Sequence, residues 1–180
     1  MQSPPLIRRA TTADLPALMA LVQRVVPLMQ ASGNFQWNED YPNATVFQED
    51  IDQQQLWVAE LDGQLAGVAA LTNDQDPEYA DADWDVTEPA VVTHRLAVDP
   101  AAQGRGVAQA LMLQAEEVAR AQGLTVLRVD TNSENAATQR LLPKLGYRFA
   151  GEIALAIRPG QRFFCYEKRL GERTGARDFM

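Results

Sequence analysis

Apolar and polar positions along this chain switch repeatedly between two periods. Leu6-Ile7-Arg8-Arg9 reads as a short first strand. Thr11 with Asp14 three residues on is a capping-box pattern. Leu15, Leu18, Met19, Val22, Val25, Val26 and Met29 then share one stripe at helical spacing, so a helix follows, with Pro27 expected to bend or end it. Residues 32–43 read as a loop carrying Phe35, Trp37 and Tyr41, and residues 45–54 as a second short helix. Leu56 to Leu61 and Leu65 to Leu71 read as strands joined at Asp62-Gly63, two residues that tolerate the positive φ of a hairpin turn. Residues 73–89 form a long acidic loop, of a length that is often functional or partly disordered.

The second half repeats the alternation. Val91 to Val98 is a strand ended by Asp99-Pro100. Gly104 to Ala121 is a helix with Ala108, Leu111, Met112, Ala115, Val118 and Ala119 on its apolar side, and Gly123 suits the left-handed residue beyond its end. Leu124 to Thr131 is the next strand. Strand, helix, strand at this spacing is a βαβ unit, so these two strands should be parallel with a right-handed crossover. Asn135 to Leu145 is a helix ended by Gly146, and Tyr147 to Leu155 and Arg162 to Leu170 are the last strands. No internal repeat interrupts the pattern. The expected organisation is one domain over residues 1–170 and a polar tail over 171–180.

The chain's 180 residues suit one domain, and 46% apolar with 22% charged residues is ordinary for a globular protein. No unbroken apolar run approaches a membrane span, and the N-terminus lacks a basic region followed by an apolar core, so neither a transmembrane helix nor a secretory signal is expected. One cysteine, Cys165, excludes an intrachain disulfide, and one histidine, His94, excludes a multi-histidine metal site; no metal is expected and the default compartment is the cytoplasm. The net charge of −8 argues against nucleic acid or an anionic membrane as partner. Its distribution is uneven: residues 25–94 hold 14 Asp and Glu and no Lys or Arg, whereas residues 95–180 hold 13 basic and 9 acidic residues. All three tryptophans, Trp37, Trp57 and Trp84, lie in the acidic stretch.

The segment richest in chemistry runs from Leu96 to Ala108: a strand, a short glycine-bearing loop and a helix start. The first turn of a helix offers unpaired N–H groups and the positive end of its dipole, and glycines let that backbone approach a phosphate. Arg105 adds charge. A dinucleotide fingerprint fails because Gln109 stands at its third position and the loop comes late in the chain, and a P-loop fails because Gly-Lys-Ser/Thr is absent. Gln103-Gly104-Arg105-Gly106-Val107-Ala108 instead resembles the acyl-CoA pyrophosphate loop of the GNAT superfamily of N-acetyltransferases. Asn135-Ala136-Ala137 followed by Lys144-Leu145-Gly146-Tyr147 resembles its later motif, Thr11 to Leu15 the opening of its first helix, and the order of elements matches along nearly the whole chain.

The resemblance implies the family's α/β (α+β) fold: a mixed, mostly antiparallel sheet of six or seven strands with a splayed parallel central pair and flanking helices. It implies acetyl-CoA as cofactor, CoA as product and a small-molecule primary amine as acceptor in a monomer or homodimer. The implied cofactor contacts are Leu96, Ala97, Val98, Gln103, Gly104, Arg105, Gly106, Val107, Ala108, Asn135 and Lys144. The backbone at Leu96 would polarise the acetyl carbonyl. His94, two residues before Leu96 and expected on the same strand face, resembles the histidine of arylalkylamine N-acetyltransferases that helps carry the amine's proton. Glu39, Asp83, Asp85 and Asp130 are alternative bases, and Asp130 could instead orient His94. Phe35, Trp37, Glu39, Tyr41 and Trp84 are the expected acceptor wall, since aromatics with carboxylates suit a cationic amine. Trp37 to Pro42 with His94-Arg95-Leu96 resembles a group of bacterial acetyltransferases of unassigned substrate. One departure stands out: Leu142, followed by Pro143, occupies the position where many members carry the Tyr that protonates the leaving thiolate, so that either water, Tyr147 or Tyr166 serves that step or the step needs no acid. Cys165 reads as a small core residue rather than a nucleophile. The rival readings are an acyl-CoA-binding regulatory module without turnover, favoured by Leu142 and Pro143, and a nicotinamide or nucleotide enzyme using the glycine loop.

Overall fold

The computed structural model describes residues 2–171; of the tail expected over 171–180, residues 172–180 lie outside the described residues. The strands are β1 (Leu6–Arg9), β2 (Leu56–Leu61), β3 (Gln64–Thr72), β4 (Val91–Val98), β5 (Val126–Asn132), β6 (Arg148–Ile153) and β7 (Phe163–Arg169). The helices are α1 (Leu15–Ala31), α2 (Ala44–Asp52), α3 (Val107–Ala121) and α4 (Ala136–Lys144). Seven strands form one sheet in the order β1-β2-β3-β4-β5-β7-β6. Every pairing is antiparallel except β4 with β5.

Each face of the sheet buries one pair of helices. On one face Leu111, Met112, Ala115 and Ala119 of α3 and Leu142 of α4 pack against Ala69, Leu71, Val91, Leu127 and Val129. On the other, Leu18, Leu21, Val22, Val25 and Val26 of α1 and Phe47 of α2 pack against Val58, Val68 and Ala70. Residues 12–31 reach a mean hydropathy of 1.2, long and apolar enough to cross a membrane by length and composition alone, which a reading for unbroken apolar runs did not register. In this fold the five buried apolar side chains of α1 lie in the core.

Several boundaries differ from the sequence reading. Pro27 does not end α1, which runs on to Ala31, with Val25 and Val26 buried and Met29 packed against the core on either side of it. The helix expected from Gly104 starts at Val107, because Gly104 and Gly106 take φ of 77° and 79°, outside the right-handed helical region. Strand β5 starts at Val126 rather than Leu124, and β6 spans Arg148–Ile153 rather than 147–155.

The acidic segment between β3 and β4 finds its cations outside itself. Arg128 of β5, fully buried, donates to Gln75 Oε1 (2.6 Å), the Asp85 carbonyl (2.8 Å) and Glu167 Oε2 (2.9 Å), under the ring of Trp84 at 4.9 Å. Arg169 of β7 pairs with Glu88 at 2.6 Å. Tyr79, in a short 3-10 turn over Pro77–Asp81, is buried with Val92, Val126, Phe163 and Cys165. The acid-rich and base-rich parts of the chain are thereby joined across the sheet.

Candidate active site

The central feature is a gap. β4 pairs with β5 only from Val91↔Leu127 to Thr93↔Val129. Beyond Thr93 the backbone of β4 has no strand partner on the β5 side. A cavity of about 660 Å³ opens there, lined by Leu96, Ala97 and Val98 of β4, Gln103, Gly104, Gly106, Val107 and Ala108 of the loop and α3, and Asn135, Ala136 and Ala137 at the start of α4. Ala110 is bonded to the Gly106 carbonyl at 3.0 Å, and no side chain caps α3 among the described residues, so the amides of residues 107–109 remain available for an anion. Gly67 allows this proximity: a Cβ there would lie 2.6 Å from Val107 Cγ1 and 3.1 Å from the Ala97 carbonyl. The cradle and cavity fit a phosphate-bearing, elongated ligand such as an acyl-CoA, held at its diphosphate by backbone rather than by a lysine or arginine on the wall.

A second cavity of about 330 Å³ lies on the other side of the splay. Its walls include Trp37, Tyr41, Asp74, Asp76, His94, Arg95, Leu96, Asp130 and Arg158. Met29, Leu96, Asn135 and Thr138 line both cavities, so the two spaces meet at Leu96. Asn135 is fixed there because its side chain caps α4, accepting from the Thr138 amide at 3.2 Å.

His94, Asp76 and Asp130 present ligand atoms all within 4.8 Å of one another. Such a set can hold a metal ion or an ammonium group. His94 Nε2 lies 3.0 Å from the Asp74 carbonyl. A carbonyl only accepts, so Nε2 carries the proton and Nδ1 is left as a proton acceptor. Asp130 accepts a short hydrogen bond from the Tyr79 hydroxyl. Burial pushes the Asp130 carboxyl up, while the Tyr79 hydrogen bond and the nearby His94 pull it down and Asp76 pushes it up again. Asp130 does not bond His94, so the expected orienting contact is replaced by one to Tyr79, with the Asp74 carbonyl holding the imidazole.

The expectation that His94 and Leu96 share a strand face is corrected. Arg95 between them takes φ 52°, and four residues of β4 from His94 to Ala97 span three of β3 from Ala70 to Val68. This bulge adds one residue and inverts the alternation. Leu96 packs toward the α3 core, whereas His94 lies opposite Ala70, which faces α1. Arg95 is held by Asp50 at 2.7 Å through both carboxylate oxygens and by the Tyr41 hydroxyl at 3.3 Å.

Other candidates are placed elsewhere. Trp37 and Tyr41 do line the second cavity, but Glu39 is exposed and on neither wall, and Phe35 is 55% exposed outside it. Trp84 lies over Arg128 and donates to the Tyr79 carbonyl, which makes it a brace of the acidic segment. Asp83 and Asp85 are exposed. Arg105 leans toward the β2–β3 turn, 3.4 Å from Asp62, with its Nε buried and unpartnered, and Lys144 is exposed at the end of α4; neither lines the larger cavity. Leu142 is fully buried in the core, and Tyr147 and Tyr166 are on neither cavity wall. The Cys165 thiol is buried and pushed up to about 12, chiefly by burial, so it is no nucleophile. Asp74, Asp76 and Arg158 are wall residues that no motif in the sequence announced, only the length of the acidic segment hinting at the first two; Arg95 stood in the quoted run His94-Arg95-Leu96 without a role assigned to it.

A model of the acetyltransferase (GNAT) family matches residues 22–147. The chain belongs to this family. As a GNAT protein it is an acyltransferase, and its seven-stranded mixed sheet with a splayed parallel pair is the GNAT fold. It is similar to a GNAT acetyltransferase from Streptococcus agalactiae, with 28% identity, a TM-score of 0.81, and coverage of 96% of this chain and 99% of that one. The fold is also that of the PaiA N-acetyltransferase from Thermoplasma acidophilum, solved in complex with coenzyme A, at 17% identity, TM-score 0.68, and 93% and 99% coverage. In sequence, 105 residues are 29% identical to N-acetylaspartate synthetase of Danio rerio, covering 58% of this chain. The match spans 33% of that relative's length.

Proposed function

We propose that this GNAT protein moves an acetyl group from acetyl-CoA to the primary amine of a small molecule by direct attack, with no covalent enzyme intermediate. The observation that carries the reading is the meeting of the two cavities at Leu96, with the phosphate cradle behind one and His94 on the wall of the other.

Acetyl-CoA bound in the larger cavity would supply a thioester, an acyl group already activated toward amines. The amides of residues 107–109 and the loop from Gln103 to Gly106 would hold its diphosphate, and Leu96, Ala97 and Val98 its pantetheine arm. An unpaired backbone N–H of β4 near Leu96 would stabilise charge developing on the acyl oxygen. Asp76 and Asp130 suit an incoming ammonium, and His94 Nδ1 accepts the proton that the amine must lose. Holding amine and thioester across one shared wall supplies the remaining advantage, proximity. A thiolate leaves far more readily than an amide nitrogen, which accommodates the absence of a hydroxyl at Leu142. The same absence favours the second reading, an acyl-CoA-binding regulatory module.

The domain that does this is residues 1–170, working as monomer or homodimer in the cytoplasm. A thiol-release assay with acetyl-CoA and a panel of amines tests the function. Amine-dependent CoA release is the expected result. Acetyl-CoA binding with no release from any amine would sustain the regulatory module instead.

A further inference from the structure

The second cavity has two electrical poles, and they differ in how far they are neutralised. One is acidic: Asp74 and Asp76 from the 73–89 segment and Asp130 from β5, around His94. The other comprises two guanidiniums. Arg95 is already paired, its Nε and Nη2 each 2.7 Å from an oxygen of Asp50. Arg158 is not. Among the described residues it has no carboxylate within ion-pair distance, yet it is fixed in place. Its guanidinium lies 4.7 Å from the centroid of the Tyr41 ring. Its Nε donates to the Gln36 carbonyl at 2.8 Å and its Nη1 to the Ile157 carbonyl at 2.9 Å.

A guanidinium has five N–H donors. Two are used by backbone carbonyls, so three remain at a half-buried, preorganised cation on the wall of a small cavity. Planar Arg donors match a carboxylate, and a guanidinium already held by stacking and hydrogen bonds loses little entropy on binding one. An alkylammonium, by contrast, is served by the two carboxylates beside His94, those of Asp76 and Asp130. At about 330 Å³ the cavity is at the small end for ligand sites.

We infer that the acceptor is an amino carboxylate with a single negative group, its carboxylate on Arg158 and its amine at His94, Asp76 and Asp130. This deepens the acetyl-transfer reading and rests on it. One unpaired cation against three carboxylates leaves no partner for a second acid on the acceptor, so neutral and basic amino acids are favoured over aspartate and glutamate.

The test pairs amino acids with their decarboxylated amines: histidine with histamine, tryptophan with tryptamine, tyrosine with tyramine, and asparagine with aspartate as the charge control. Initial rates of CoA release are measured for the wild type, Arg158→Gln and Arg158→Lys, with thermal unfolding to confirm folding. In the wild type the preferred amino acid should exceed its decarboxylated partner at least tenfold in kcat/KM, and asparagine should exceed aspartate. Arg158→Gln should raise KM for the amino acid about tenfold or more and leave kinetics with the decarboxylated amine unchanged. Arg158→Lys, which keeps the charge, should fall between. Equal or better use of decarboxylated amines overturns the assignment while leaving the transferase intact. A loss of equal size for both members of a pair makes Arg158 a structural staple and also overturns it. No transfer to any member overturns the acceptor assignment and the transferase reading together.

Discussion

His94 and Leu96 stand on opposite faces of β4, because Arg95 between them takes φ 52° and adds a residue to the strand. The bulge falls two residues beyond Thr93, the last residue of β4 paired with β5. It turns Arg95 toward Asp50 and Tyr41 and leaves His94 on the wall of the smaller cavity, with Leu96 on the boundary of both. The strain of a non-glycine residue at positive φ is offset by the Asp50 pair.

His94→Gln removes the free Nδ1 acceptor. It should lower kcat by about 10²- to 10⁴-fold and leave the KM for acetyl-CoA nearly unchanged, because His94 does not line the larger cavity. Steady-state kinetics check both.

Asp130→Asn keeps an acceptor for the Tyr79 hydroxyl and removes a buried charge. The Asp130 carboxyl titrates above its ordinary range in the fold. Its contribution to stability is therefore fully present below the unfolded value of about 3.9 and is lost as pH rises through the folded value. The variant should unfold at a higher temperature than the wild type at neutral pH, and this gain should shrink toward pH 4. Turnover should drop, since the ammonium site loses a charge. Melting temperatures at several pH values, with rates on the same samples, check the pairing.

Gly67→Ala and Gly106→Ala separate crowding from conformation. The first places a Cβ 2.6 Å from Val107 Cγ1, so α3 must move off β3. The second meets nothing within 4 Å but holds alanine at φ 79°. Overpacking typically costs about 1–3 kcal/mol and left-handed alanine about 1–2 kcal/mol. Both should weaken CoA binding, measurable by calorimetry.

Arg128→Met breaks the knot that ties the acidic segment to β5. It takes the buried partner from Glu167, which keeps only Arg169 at 3.2 Å, and leaves Gln75 Oε1 and the Asp85 carbonyl beside an apolar side chain, at a cost of roughly 3–5 kcal/mol. A fall in melting temperature of about 6 °C or more is the expected outcome for a chain of this size.

Much of this molecule was legible in its residues. The hydrophobic periods located every strand and helix, and the run from Gln103 to Ala108 pointed to the cradle because glycine placement before a helix has few other uses. The wall of the smaller cavity was harder to read. Trp37 and Tyr41 emerged as aromatics in a loop, but Glu39 and Trp84 were grouped with them by residue type, as a carboxylate and an aromatic that suit a cationic amine. Trp84 instead covers Arg128, a contact across 44 positions that no local pattern encodes. The bulge at Arg95 escaped notice because an arginine in a strand carries no signal for positive φ. Arg158 lies in a turn beside Pro159 and Gly160 and is held over the cavity through Tyr41 and Gln36, both far from it in sequence.

The central claim, that the glycine cradle and the splayed strands hold an acyl-CoA, is tested most directly by thermal unfolding with acetyl-CoA, CoA, NAD and ATP. A ligand at 100 times its dissociation constant adds about 2.7 kcal/mol, or roughly 5–10 °C for this chain. The account predicts a rise of that size with acetyl-CoA and CoA and none with NAD or ATP. No shift with either CoA species, or an equal shift with NAD or ATP, would contradict it.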